Sequence, residues 1–301
     1  MTTLLTLSQD LSDLVAQTEP SIVAIHGKRF QASGIHWQAG MIVTSCESIN
    51  LDDTLSVTLP DRQTVAATIV GADPTTDIAV LQVPTDSELG VPRLSQTVPL
   101  SVGSLALALG RSSEGSNFAH FGMVQMLGES WRSRSGGVID QFIRVNLNLS
   151  RSGAGGALIN MAGELVGFNT FGPRRQVLTI PVQTIRRVIQ QLQEKGHIPR
   201  GYLGISMQTV QLPEDLQQRL NLTHPGGIMI LGLEPHAAAA QAGLLLGDIL
   251  VAANEQMIQS PQDLQMLLDA HSIGQSLTVR FIRAGVLQQT TLVVGERPTV
   301  Q

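Results

Sequence analysis

Cysteine is almost absent: the 301 residues contain one, Cys46. A single thiol forms no internal disulfide and cannot build a cysteine metal site. The seven histidines show no His-Glu-x-x-His or similar spacing, so neither a metal nor another cofactor is expected. Aromatics are scarce, at 3 %. No uncharged apolar run reaches about 18 residues, so no membrane-spanning helix is expected. There is no surplus of basic charge either. The formal net charge is −5, which gives no electrostatic reason to expect nucleic acid or an anionic membrane as partner. The pairs Arg174-Arg175 and Arg186-Arg187 read as solvated faces.

The first ten residues, Met-Thr-Thr-Leu-Leu-Thr-Leu-Ser-Gln-Asp, lack a basic region followed by a long apolar stretch, so they do not read as a secretory signal. The expectation is cytoplasmic if Met1 is the native start, and periplasmic or extracytoplasmic if a leader was removed.

What is present is apolar substance, 43 % of the chain, in a length that suits two domains. Residues 7–17 carry Leu7, Leu11, Leu14 and Val15, which predicts a short amphipathic helix or an arm. Short strands then follow one another. Ser21 to His26, Gly34 to Trp37, Met41 to Ser45, Leu55 to Leu59, Val65 to Val70 and Ile78 to Val83 are separated by turns such as Gln38-Ala39-Gly40. More strands run from Leu105 to Ile180. Closely spaced strands with Gly- and Asp-rich turns predict barrels or a sandwich. The period changes after Pro181: Ile185, Val188, Ile189 and Leu192 fall on one helix face, and Gly196 suits the helix end. Residues 197–200 read as a linker. Beyond it, Ser260-Pro261-Gln262-Asp263 starts a helix running to about Ala270, with Ser260 as cap and Asp263 in the first turn. The tail from Arg297 to Gln301 should be loose.

Several segments resemble the HtrA-type, trypsin-like serine protease family. Gly40-Met-Ile-Val-Thr44 is similar to the strand before that family's catalytic histidine. Gly71-Ala-Asp-Pro-Thr-Thr-Asp77-Ile-Ala-Val-Leu81 resembles the segment of its catalytic aspartate. Residues 148–160, Asn-Leu-Ser-Arg-Ser-Gly-Ala-Gly-Gly-Ala-Leu-Ile-Asn, resemble its nucleophile loop, aligned on Gly155, Gly156, Leu158 and Asn160. Gly201-Tyr-Leu-Gly-Ile205 and Gly247-Asp248-Ile249-Leu250 resemble the PDZ domain that follows in the same family. The resemblance implies a mainly β fold, a trypsin-like double β-barrel over 1–196 followed by a PDZ domain over 201–297.

Carried over residue by residue, the triad positions are Glu47, Asp77 and Ala154. Only Asp77 matches the family. Glu47 is a weak base and Ala154 offers no nucleophile. Arg151 is a candidate partner for Glu47. Shifting the register to make Ser152 the nucleophile breaks the downstream match, and Cys46, the remaining candidate, reads as a buried, inert thiol. The family's oxyanion hole uses the backbone N–H groups at the positions of Ala154 and Ser152. Ser152 replaces a glycine while Gly153 adds freedom beside it, so the hole is present, collapsed or flipped. Val177 to Ile180 is a candidate edge for strand addition. In the PDZ unit the resemblance makes Tyr202, Leu203, Gly204 and Ile205 the carboxylate-binding loop. Leu203, Ile205, Leu264, Leu267 and Leu268 then line a pocket for an apolar C-terminal residue.

These positions lead to a non-catalytic HtrA-like pseudoprotease, and so to no enzymatic activity. It would bind peptides or unfolded proteins through apolar C-termini in a regulatory or chaperone-like role. The alternative is an active serine endopeptidase in protein quality control. A third reading is a scaffold with both grooves closed. The family resemblance also implies a homo-trimer or a mixed oligomer with active relatives.

Overall fold

The structure is a computed structural model that describes residues 2–28, 30–84, 89–95, 100–133, 136–195, 198–268 and 272–296. Gly196, His197, Ala270 and the tail from Arg297, each given a role above, lie outside the described residues. Contacts divide the chain into two units, Met1–His197 and Ile198–Gln301.

The first unit opens with helix α1, Thr2–Thr18, longer than the 7–17 stretch marked by its apolar spacing. Six strands then close into a barrel: β1 (Ile22–His26), β2 (Gln31–Gln38), β3 (Met41–Ser45), β4 (Leu55–Thr58), β5 (Thr64–Asp73) and β6 (Ile78–Gln82). Their order round the barrel is β1-β2-β3-β6-β5-β4. The β2–β3 hairpin pairs Gln38 with Met41. Its two loop residues, Ala39 and Gly40, have φ of 44° and 75°. Two positive φ values in a two-residue loop match the right-handed twist of the strands. In β4, Leu55 and Val57 are buried and Ser56 is half-buried, the alternation of a strand with one face in the core.

A second closed barrel follows, with β7 (Leu105–Arg111), β8 (Asn117–Gly128), a short pair β9 (Trp131–Arg132) and β10 (Val138–Ile139), then β11 (Phe142–Asn146), β12 (Ala157–Asn160), β13 (Leu165–Phe171) and β14 (Val177–Pro181). Its order is β11-β14-β13-β12-β7-β8, with β9 and β10 apart. Helix α2 (Val182–Lys195) closes the unit. It buries Ile185, Val188, Ile189 and Leu192, and Leu192 sits so close over Gly71 that a Cβ there would meet its Cδ2 at 2.7 Å.

The second unit contains β15 (Gly201–Tyr202), β16 (Ile205–Gln211), α3 (Glu214–Arg219), β17 (Gly226–Leu233), α4 (Ala238–Gln241), β18 (Ile249–Ala253), β19 (Gln256–Met257), α5 (Pro261–Leu267), β20 (Ser276–Arg283), β21 (Val286–Val293) and β22 (Gly295–Glu296). The main sheet runs β16-β17-β18-β20-β21, so β16 is an edge strand. The Asp263 carboxylate accepts the Ser260 N–H at 2.8 Å, which fixes the start of α5. Ile228, Ile230, Leu250, Leu264 and Phe281 fill the core between sheet and helices. The two units are mainly β, as the strand spacing and the resemblance both lead one to expect. No helix among the described residues is long and apolar enough to cross a membrane.

Candidate functional site

Asp77 stands at the entrance to β6 in left-handed backbone, φ 61°. The Asp73 carboxylate, which accepts the Thr75 and Thr76 hydroxyls at 2.6 and 2.8 Å, stabilises the turn before it. Asp77 is 8 % exposed. The Ser45 hydroxyl lies 3.0 and 2.8 Å from its two oxygens. The Glu47 N–H donates to Oδ1 at 2.7 Å and the Thr170 hydroxyl to Oδ2 at 2.5 Å. Burial pushes this carboxyl up to about 6, against the hydrogen bonds, which act the other way; the nearby Glu47 adds to the rise.

Glu47 lies in a short 3₁₀ turn, Cys46–Ser48, rather than in extended chain. The turn sends Cys46 into the core of the first barrel. Burial first, then the carboxylates of Asp77, Asp73 and Glu47, push the Cys46 thiol up to about 12. Such a thiol is not a nucleophile near neutral pH. Glu47 itself is exposed. Arg151 lines the same cleft, yet no ion pair joins the two among the described residues. The pairing expected from Arg151's place in the adjacent loop is therefore not formed. Glu47 is held through its backbone, and its side chain is left to solvent.

Ala154 is 1 % exposed. Its carbonyl accepts the Ser33 N–H at 2.9 Å, and its own N–H donates to the Arg151 carbonyl at 3.2 Å. The Gly153 N–H is likewise turned inward, to the Ser150 carbonyl at 3.0 Å. The Ser33 hydroxyl donates to the Ser152 carbonyl at 2.7 Å and accepts the Arg111 N–H at 3.1 Å. A trans peptide points its C=O and N–H in opposite directions. With the Arg151 C=O aimed at Ala154, the Ser152 N–H faces away. The Arg151–Ser152 peptide is thus turned with its carbonyl toward Ala154. The Ser152 hydroxyl is within 2.9 Å of that of Ser150. Gly155, with φ 79°, completes the loop; a Cβ there would lie 2.2 Å from both the Ser33 carbonyl and the Thr44 hydroxyl.

Two cavities meet at Glu47, Thr170 and Phe171. One, of about 760 Å³, is also lined by His26, Lys28, Arg151 and Ser152. The other, of about 550 Å³, adds Asp77, Trp131, Phe142 and Ile180. The expected binding edge at Val177 to Ile180 needs correction. Val177 and Leu178 are paired with β11 on one side and with β13 on the other, because the barrel closes there. Thr179 and Ile180 pair with β13 alone, and Thr170 and Phe171 with β14 alone, so β13 also offers a free edge, at Thr170 and Phe171. The sequence reading missed Ser45, Thr170, Ser33 and Phe171. His26, one of the seven histidines and not aligned with the triad, has its Nε2 2.8 Å from the Thr58 hydroxyl, and burial lowers its pKa. Among the described residues, no group of three or more His, Cys, Asp or Glu side chains is placed to hold a metal.

In the second unit, Leu203 and Leu264 are 2 % and 0 % exposed and belong to the core. Ile205, Leu267 and Leu268 are half-buried and pack against it. Gly204 has φ 73°, and a Cβ would lie 2.1 Å from that of Ala237. The Leu203 carbonyl accepts the Ala239 N–H at 3.0 Å and the Gly204 carbonyl the Glu234 N–H at 2.8 Å. The N–H groups of Gly204 and Ile205 therefore point away from those partners. The Tyr202 hydroxyl donates to the Glu234 carboxylate.

Comparison with known proteins agrees with this architecture. The family model of the trypsin-like peptidase domain matches residues 32–168, and that of the PDZ domain matches 201–294. A "Probable periplasmic serine endoprotease DegP-like" of Pseudomonas savastanoi pv. phaseolicola is 31 % identical over 270 residues, covering 86 % of this chain and 54 % of the relative. The "Periplasmic pH-dependent serine endoprotease DegQ" of Escherichia coli is 30 % identical over 257 residues, covering 83 % and 56 %. The chain thus spans about half the length of the curated relatives it matches. The solved structure "HtrA-type protease AlgW with tripeptide" superposes with a TM-score of 0.66 at 25 % identity, covering 96 % of this chain and 98 % of that one. These matches overturn the expectation that the chain lies outside the enzymes: the domain model is that of a peptidase, and the relatives named here are endoproteases or proteases. With a trypsin-like double barrel followed by a PDZ domain, and relatives of that kind, the chain belongs to the HtrA/DegP-like serine protease family.

Proposed function

We propose that the chain engages unfolded polypeptides and protein C-termini, in protein quality control of the HtrA kind. One observation carries this reading. β16 is the open edge of its sheet, beside half-buried Ile205, Leu267 and Leu268, and it starts at a loop whose Gly204 and Ile205 N–H groups are turned from the protein's own acceptors. That combination suits an added strand ending in an apolar residue and a free carboxylate. The peptide named in the AlgW structure supports the same reading.

Titrating the chain with a dye-labelled peptide ending in Val or Leu, and with its C-terminally amidated twin, tests it. The free acid is expected to bind at least about tenfold tighter, since amidation removes a charge-assisted set of hydrogen bonds. Equal binding of the twins contradicts the groove.

In the protease unit we assign the triad-equivalent positions to Glu47, Asp77 and Ala154, with Ser152 and Gly153 in the oxyanion loop. The endoprotease names of the relatives favour proteolysis of unfolded chains as the activity to test. On this assignment residue 154 supplies a methyl group, and any hydrolysis runs through another group. The hydroxyls of Ser150 and Ser152 are the nearest in the loop. Casein cleavage that persists in Ser152→Ala excludes that hydroxyl, whereas loss in that variant identifies it.

The periplasmic names of the relatives favour an extracytoplasmic place of work; a fused reporter active only outside the cytoplasm reads this directly. A trimer is the family's expectation, and Leu4 and Leu5 are exposed on α1 at 75 % and 71 %. Light scattering on the purified chain decides the mass, and a monomer at working concentration counts against the trimer.

A further inference from the structure

Phe171 lines both halves of the cleft, and a cation stacks on it. The Arg175 guanidinium lies 5.5 Å from its ring centroid. Arg174 and Arg175 both hold left-handed backbone, φ 57° and 59°. Long side chains adopt that conformation at a cost, and it concentrates where a loop faces a ligand. Arg144 reaches the same loop, donating to Gln176 Oε1 at 3.4 Å, and its buried Nε finds no acceptor. On the other side, Lys28 and Arg151 line the larger cavity. Among the described residues, the only carboxylates lining the two cavities are those of Glu47 and Asp77. Both Asp77 oxygens already accept hydrogen bonds from Ser45, Glu47 and Thr170. Lys28 and Arg151 in the lining, with Arg175 stacked on Phe171, thus face Glu47 and the hydrogen-bonded Asp77, a small local excess of basic side chains in a chain whose net charge is −5.

We propose that this cleft takes an extended polypeptide segment rich in Asp and Glu, laid along the free edge of β13 at Thr170 and Phe171, with acidic side chains toward Arg151 and Arg175. The proposal deepens the reading of the protease unit as a polypeptide site and rests on it. A strand edge offers alternating N–H donors and C=O acceptors, and a peptide backbone answers both. A nucleic-acid backbone answers only the donors, so the geometry favours protein over polyphosphate.

Fluorescence anisotropy on the full chain tests this with three labelled peptides of about ten residues, identical except for Glu, Gln or Lys at alternate positions. All carry amidated C-termini, which removes the α-carboxylate as a second source of negative charge. The Glu peptide is expected to bind roughly fivefold to tenfold tighter than the Gln peptide at low salt, and the Lys peptide weakest. The advantage shrinks as salt rises. Arg151→Gln and Arg175→Gln should each narrow the preference for the Glu peptide over the Gln peptide. Equal binding of the Glu and Gln peptides overturns the acidic assignment and leaves the polypeptide reading of the cleft standing. Failure of all three removes that reading and the proposal together. A single-stranded oligonucleotide that binds tighter than the Glu peptide and displaces it also overturns the proposal, in favour of a polyphosphate partner.

Discussion

The N–H of Ala154 donates to the carbonyl of Arg151 at 3.2 Å. This one bond closes a 3₁₀ turn over Arg151–Gly153 and occupies, with the chain's own oxygen, the Ala154 N–H, the donor that the proposed assignment gives to an oxyanion. Beneath the turn, Ser33 ties down the carbonyls of Ser152 and Ala154. The loop is thus a fastened piece of backbone, and its behaviour follows from how it is held.

Gly155 carries the first prediction. Its φ of 79° and the 2.2 Å contacts awaiting a Cβ leave no room for a side chain. Gly155→Ala should cost at least about 2 kcal/mol of stability, through backbone strain plus a clash with backbone. Urea unfolding followed by far-UV circular dichroism measures it. A loss under about 0.5 kcal/mol would mean that the loop relaxes freely.

Asp77 carries a pH signature. Its carboxyl is raised from 3.8 to about 6 in the folded chain. Between those values the folded state holds more protons than the unfolded state, so stability falls as pH rises through the window. The contribution is fully present below pH 3.8 and lost above about pH 6, with a total on the order of 3 kcal/mol. Asp77→Asn removes the titration. Unfolding free energies of the two proteins from pH 4 to 7 should diverge in slope, the wild type losing more as pH rises. Parallel curves contradict the raised value.

Cys46 should be silent. With the thiol buried and pushed up to about 12, a chromogenic disulfide reagent at pH 8 is expected to titrate no thiol in the folded chain and one after denaturation. Cys46→Ala should leave any casein cleavage unchanged. A thiol that reacts within seconds in the native protein would reopen Cys46 as a nucleophile.

Local patterns told much of this in advance. The alternation in β4, the Ala39-Gly40 turn and the helical face of Ile185, Val188, Ile189 and Leu192 are all short-range signals. They sufficed for strands, for the helix after Pro181 and for the capped start of α5. The convergence on Asp77 was not legible. Ser45 and Thr170 lie 32 and 93 positions from it; the pairing of β3 with β6 brings Ser45 to it, and Thr170 comes from β13 of the second barrel. For the same reason Val177 looked free: its partner on β11 is distant in sequence. The direction of the Arg151 carbonyl leaves no trace in side-chain identity, since one peptide rotation reverses it. Glu47 and Arg151 line one cavity without forming an ion pair, so sharing a cleft does not decide a partner for an exposed side chain.

The central claim is that Glu47, Asp77 and Ala154 stand where a serine protease keeps its triad. The most direct measurement compares the chain with its E47H/S152G/A154S variant on an unfolded casein substrate, under identical conditions. The variant regains an imidazole over Asp77, a hydroxyl at 154 and a glycine able to turn its N–H toward an oxyanion. It should cleave at least roughly 10³-fold faster than the chain as it stands, because triad members act as a unit. Equal rates in a variant that keeps its fold by circular dichroism would contradict the assignment.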